Sequence, residues 1–182
     1  MEKYLSLLEE EIQKQHYGSE PASLYEPIRY IMRLGGKRIR PLLTLFSYLM
    51  YRDNVKPFLP YAAAIEAFHN FTLMHDDIMD KAPLRRGKPS VHEKWNVNTA
   101  ILSGDVMLVR VYDMFIGLDE GKLKEVLRRF NECASEVCEG QQRDMEFEKQ
   151  KKVSVAEYLS MIRSKTAALL GFSLELGASL LV

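Results

Sequence analysis

LPYAAAIEAFHNFTLMHDDIMD, residues 59–80, decides how the rest of the chain is read. Ala62, Ala63, Ala64, Ile65, Ala67, Phe68, Phe71 and Leu73 leave it apolar nearly all round. A helix of that kind belongs inside a bundle rather than on its surface. At about 100° per residue, Ile65, His69, Thr72, Asp76 and Asp80 share one face. A core face therefore turns polar toward its C-terminal end. Carboxylates facing an interior are costly unless a cation or water meets them. Asp76 and Asp80 lie one turn apart with Asp77 beside them, and hard oxygen ligands so spaced on a rigid helix suit Mg²⁺. The helix dipole disfavours acids at this end, and a cation would relieve that cost. Taken alone, three acids at a helix end can simply be solvated, and a lone DxxD is a weak motif.

Outward from this stretch, apolar residues recur at spacings of three and four, with no alternating strand pattern of useful length. The expected helices are 2–15, 21–34, 41–51, 59–79, 97–117, 121–149 and 154–182, with room for a break in the last. Pro21 and Pro41 suit helix starts, Gly35-Gly36 suits a helix end, and 53–54 and 81–89 read as loops. No repeat, linker or low-complexity tract interrupts residues 1–182, so the expectation is one all-α helical domain.

Composition narrows the function classes. The 182 residues are 47% hydrophobic with a formal net charge of +0. Bulk charge therefore points to neither nucleic acid nor an anionic membrane. Two cysteines, Cys133 and Cys138, form no disulfide framework or zinc signature, which favours a reducing compartment and a cytoplasmic location. The N-terminus lacks a signal-peptide apolar region. The apolar run from Thr166 onward contains Glu175 and two glycines, and reads as a core helix rather than a membrane span. It ends in GASLLV without a polar tail, so either this helix docks on something outside the chain or the chain is a fragment.

Further polar residues break apolar patterns. Leu123, Val126, Leu127, Phe130, Ala134, Val137 and Cys138 make a stripe that continues as Gln141, Asp144 and Met145. Either two polar groups point inward there or the helix emerges into solvent. Lys165 precedes the apolar run Thr166–Gly171, where a snorkelling lysine is the simplest reading. GGKRIRP (35–41) and RRGKP (85–89) place cations beside glycines. Such loops can close on an anion, with Arg gripping phosphate oxygens, or remain solvated. Acids, basic loops and an apolar interior together suit a diphosphate bound through Mg²⁺ with an apolar tail. With no nucleophile–base pair evident, stabilisation of a leaving group's charge is the expected chemistry.

The sequence resembles the trans-polyprenyl diphosphate synthases, and in motif the farnesyl and geranylgeranyl diphosphate synthases. GGKRIRP (35–41), LMHDDIMD (73–80), RRGKPSVH (85–92), EGQQRD (139–144) and KTA (165–167) carry the resemblance, in the family's order. It implies the isoprenoid synthase fold and a Mg²⁺-dependent head-to-tail condensation of isopentenyl diphosphate with an allylic diphosphate. It further implies that Asp76, Asp77 and Asp80 bind the metal, and that Arg85 and Lys165 hold the allylic diphosphate. Gln141 and Asp144 would line the same end. Lys37, Arg40, His69 and Arg86 would bind isopentenyl diphosphate. Phe71 and Thr72, five and four residues before Asp76, match positions that set product length and imply a C15–C20 product. A homodimer is implied too. The family's second aspartate-rich motif does not follow Lys165, so the resemblance implies a chain lacking the family's C-terminal part, weak or inactive alone. The alternative is a non-catalytic binding or regulatory subunit that completes its bundle with another chain.

Overall fold

The computed structural model describes residues 1–179. Helix α1 (Glu2–Lys14) is followed by α2 (Ala22–Arg33), which opens after Pro21 and closes at Leu34, where Gly35 turns the chain at φ 77°. Helix α3 (Ile39–Leu49) starts two residues earlier than the sequence suggests. Pro41 falls in its first turn, where the missing N–H has no partner to lose. Helix α4 (Leu59–Met79) is the stretch read first. Helices α6 (Val97–Ile116) and α7 (Glu120–Phe147) are capped by Asn96 and Asp119, whose side chains accept from the amides of Thr99 and Gly121.

Burial of α4 organises the bundle. Ala62, Ala63, Ala64, Ile65 and Ala67 are fully buried, and α4 packs against α6, α3, α1 and α2. Small side chains let these helices approach closely. Below the polar end of α4, Phe130 of α7 meets Phe68, Phe115 and Tyr112 edge-on at ring distances of 4.9, 5.3 and 5.3 Å. Such aromatic pairs add to plain area burial.

Two features depart from the expected elements, and the break allowed for in the last helix is present. Residues 81–89, expected as loop, contain an antiparallel pair, β1 (Leu84–Arg85) with β2 (Lys88–Pro89), in register Leu84 to Pro89. Two residues per strand are too few for an alternating pattern. The turn, Arg86-Gly87, has φ of 53° and 73°, the left-handed pair that joins two-residue hairpins. A single-turn helix, α5 (Val91–Lys94), follows. The last expected helix is broken into α8 (Val155–Ile162), a π-helical turn (Arg163–Ala167) and α9 (Ala168–Ser179). Ser154 and Glu157 form a capping box at the start of α8. The expected course of that helix over 180–182 lies outside the described residues. Among the described residues no helix is long and apolar enough to cross a membrane.

The π-helical turn carries Lys165 and presses on α7 at Gly140. A Cβ on Gly140 would stand 2.2 Å from the Lys165 nitrogen and 2.8 Å from the Ser164 carbonyl carbon. In an open helix, Gly to Ala stabilises by about 1 kcal/mol. At this crossing Gly140→Ala is expected to destabilise by about 1–3 kcal/mol through overpacking. Thermal unfolding reads the sign, and a raised melting temperature would show that the crossing relaxes freely.

Candidate active site

The polar end of α4 opens into a cavity of about 290 Å³. His69, Phe71, Thr72 and Asp76 line it from α4, Val137, Cys138 and Gln141 from α7, Lys165, Thr166 and Leu169 from the π-turn and α9, and Arg40 from α3. One end is charged and the other apolar.

Lys165 joins the acidic side together. Its Nζ lies 2.6 Å from Asp144 Oδ2 and 3.4 Å from Asp76 Oδ1, linking α7 to α4. Burial works against its charge, but the bond to Asp144 and the charge of Asp76 outweigh burial and raise its pKa. Asp80 continues the face one turn on. Partial burial and the neighbouring Asp76 raise its pKa, against the opposing pull of Lys165.

Asp77 does not share this outlook. It is 1% exposed, and Arg85 Nε donates to its two carboxylate oxygens at 3.0 and 3.1 Å while an Arg85 Nη also grips Oδ1. The expected ligand trio is therefore split: Asp76 and Asp80 point along one face, and Asp77, about 100° round the helix, is spent on Arg85. Arg85 in turn is held mainly by Asp77 and reaches Asp76 at 3.8 Å.

The basic side is built from two loops. Arg86, at the hairpin tip, donates from Nη1 to the Gly35 carbonyl. A Cβ on Gly36 would lie 2.9 Å from the Arg86 Cζ, so the glycine makes room for that guanidinium. Lys37 is exposed on the same loop. Arg40 Nη1 stands 3.1 Å from His69 Nε2. Burial, then the charges of Arg40, Arg86, Arg85 and Arg38, push the His69 pKa down to about 3. A neutral His69 can thus accept from Arg40.

Two buried atoms around the cavity, Arg40 Nε and Gln141 Nε2, lack a hydrogen-bond partner, and Asp76 Oδ1 has only the Lys165 ion pair at 3.4 Å. Buried polar atoms are normally paired, so unpaired ones at a cavity point to a ligand. Among the described residues no three His, Cys, Asp or Glu side chains stand close enough to cage a metal alone. Two carboxylates do fit an ion that keeps waters and shares phosphate oxygens, as Mg²⁺ does.

Of the residues singled out in the sequence, Arg40, His69, Phe71, Thr72, Asp76, Gln141 and Lys165 meet at the cavity. Asp144 joins through Lys165, and Arg86 is tied to the glycine loop. Arg38, expected with the other cations of its loop, instead turns into the core and pairs with Glu66 and Glu9. The signal for that was Glu66 itself, a lone acid in the apolar middle of α4.

Residues 21–181 match the family model described as polyprenyl synthetase. The short chain isoprenyl diphosphate synthase of Methanocaldococcus jannaschii is 43% identical over 175 residues, covering 96% of this chain and 53% of its own length. The geranylgeranyl diphosphate synthase of Methanosarcina mazei is 38% identical, covering 89% of this chain and 51% of its own. A crystal structure of a geranylgeranyl pyrophosphate synthase superposes with a TM-score of 0.90 at 50% identity, covering 98% of this chain and 54% of that one. The geranylgeranyl pyrophosphate synthetase of Pyrococcus horikoshii gives 0.92 at 38% identity, covering 99% and 56%. The chain thus spans about half the length of each of these relatives.

His69 sets a pH dependence. With its folded pKa near 3 and an ordinary value of 6.5, the folded chain binds fewer protons at this site than the unfolded chain. Its contribution to stability is present above about 6.5 and is lost as pH falls toward about 3. His69→Gln is expected to flatten denaturant-measured stability over that range. An NMR titration of His69 with a midpoint near neutrality would contradict this.

Proposed function

Since the chain belongs to the polyprenyl synthetase family, we propose that its cavity is the diphosphate end of a trans-prenyltransferase site of isoprenoid biosynthesis. The substrates are isopentenyl diphosphate and an allylic diphosphate, joined head to tail. The observation that carries this reading is the meeting of Arg40, Asp76, Gln141 and Lys165, two of them (Arg40 and Gln141) with unpaired buried atoms, at one end of a cavity whose other end is apolar.

Asp76 and Asp80 would hold Mg²⁺, with Asp77 anchoring Arg85 beside them. When bound, the metal neutralises charge on the departing diphosphate. Lys165, oriented by Asp144, donates to the same phosphate oxygens, and Gln141 Nε2 supplies a second donor. Arg40, kept beside neutral His69, offers its unpaired Nε to the second diphosphate, with Lys37 and Arg86 at the rim. Phe71, Val137 and Leu169 wall the apolar part, which takes the isoprenoid tail and keeps water from the reacting allylic carbon. The allylic C–O bond breaks, the isopentenyl double bond forms the new C–C bond, and a proton leaves. Phe71, with Thr72, limits the tail to a C15–C20 product. These 182 residues hold one aspartate-rich motif and no second after Lys165. We therefore assign them ligand binding with weak or no condensation when alone. The free thiols Cys133 and Cys138 fit a reducing, cytoplasmic setting.

A second reading, a binding subunit that completes its bundle with another chain, is favoured by α8, where Val155, Tyr158 and Leu159 are exposed. The two readings share the cavity and differ in whether the chain associates with a full-length synthase on mixing.

Calorimetry with Mg²⁺ and farnesyl thiodiphosphate, which cannot readily ionise, tests the site. Wild type is expected to bind only with the metal. Asp76→Asn and Asp80→Asn should each weaken binding on the order of 100-fold, as loss of a charged partner does, and Asp77→Asn less. Phe71→Ala should shift preference toward a longer tail. Metal-independent binding would defeat the site assignment, and turnover by this chain on the order of 1 s⁻¹ would defeat only the assignment of weak or no condensation.

We further propose a homodimer through α6. Leu102, Val109 and Ile116 are 58%, 57% and 63% exposed, and they recur every seven residues along one stripe. Leu102→Glu combined with Val109→Glu should yield a monomer by sedimentation velocity at micromolar concentration. An unchanged sedimentation coefficient would place any dimer contact elsewhere.

A further inference from the structure

Arg38 lies in the middle of the basic loop yet takes no part in the cavity. It is 2% exposed and adopts a left-handed backbone, φ 49°, at the N-cap of α3. L-residues other than Asn and Asp seldom take that conformation without outside support. Three helices supply it. Arg38 donates from Nε to Glu9 Oε1 of α1 at 2.7 Å, from Nη1 to Glu66 Oε1 of α4 at 2.6 Å and from Nη2 to the Met32 carbonyl of α2 at 3.0 Å. Glu66 is itself 2% exposed and accepts from Asn70 Nδ2 at 3.0 Å.

A buried Arg–Glu pair returns little net stability, because desolvation offsets the attraction, and apolar residues of similar size often serve the fold as well. Such a pair is better explained by the geometry it fixes. Two residues after Arg38 is Arg40, held against His69 with an unpaired Nε at the cavity. Two residues before it is Gly36, against which Arg86 docks. The loop that Arg38 pins thus sets the spacing between the two arginines of the basic side.

We infer that Arg38, held by Glu66 and Glu9, is a positioning residue that fixes Arg40 and Arg86 for the second diphosphate. The inference rests on the reading of the basic side as the isopentenyl diphosphate site. Arg38 acts through the loop, and its partner on α4, Glu66, precedes Asp76 by ten residues, so the acidic side is expected to stand without it.

The test is calorimetry on the full chain with two probes, isopentenyl diphosphate and Mg²⁺ with farnesyl thiodiphosphate, beside thermal unfolding. Removing only Arg38 strands a buried Glu66, so the main variant is Arg38→Met with Glu66→Gln, which removes both charges. It is expected to melt near wild type, to lose about tenfold or more in isopentenyl diphosphate affinity, and to keep its affinity for the allylic analogue. Glu9→Gln, at the exposed edge of the cluster, serves if the double variant does not fold, with a loss of about threefold expected on the same side only. Arg40→Ala separates the two levels. If wild type does not bind isopentenyl diphosphate, or Arg40→Ala binds it equally well, the site reading fails and the positioning role with it. If Arg40→Ala loses binding but the Arg38 and Glu9 variants bind like wild type, or lose both probes equally, the positioning role alone is overturned.

Discussion

A helix buried over most of its surface cannot carry charge without help, and four of the ionisable groups of α4 meet a cation from elsewhere in the chain. Glu66, His69, Asp76 and Asp77 each face a different part of the molecule, and each meets a cation from a different segment. Arg38 from the loop before α3 meets Glu66, Arg40 from the first turn of α3 meets His69, Arg85 from the hairpin meets Asp77, and Lys165 from the π-helical turn meets Asp76. Three of these cations are counter-charges to carboxylates of one helix, and Arg40 meets a neutral imidazole as a hydrogen-bond donor. That requirement orders segments that are otherwise short and irregular.

The four meetings are not equivalent. Glu66 and Asp77 are closed off, 2% and 1% exposed, with their cations engaged at hydrogen-bond distance. Those pairs set geometry. Asp76 has a lysine at 3.4 Å and a buried oxygen without a hydrogen bond, and Arg40 keeps an unpaired Nε beside its histidine. Incomplete pairing is costly in a low-dielectric interior. It occurs away from the cavity too, at Tyr17 Oη and Asn70 Oδ1, but at the cavity an anionic ligand and its cation, under the proposed function, would complete it.

Much of this was legible in sequence because it follows from periodicity. The main helices appear where apolar residues recur at three and four, and α4 reads as interior for the same reason. The polar residues that interrupt apolar stripes, Asp76, Gln141 and Lys165, are the ones that meet at the cavity. What was not legible depends on rotation and on distant partners. Asp76 and Asp77 are neighbours in a motif, yet a helix points them about 100° apart, and only the position of Arg85 decides which is spent. Arg38 looks like its neighbours Lys37 and Arg40. Its inward turn follows from a left-handed backbone and from Glu66, twenty-eight residues away. The hairpin is too short for a strand pattern.

Lys165 shows how far a local reading can go before packing takes over. By sequence it resembles a lysine that lays its stem on an apolar surface and sends its charge to solvent. Its position argues otherwise. Leu169, Phe172 and Leu176, four, seven and eleven residues on, are all buried, so Lys165 heads a core stripe. The π-helical turn and the bare Gly140 bring its backbone against α7, too close for a side chain between them. The amine is left with Asp144 on one side and Asp76 on the other, with only the cavity open to it. The half-buried ammonium is held in place by these two acids. Under the proposed function that makes it a fixed donor at the cavity mouth, set for an anion without reorganisation.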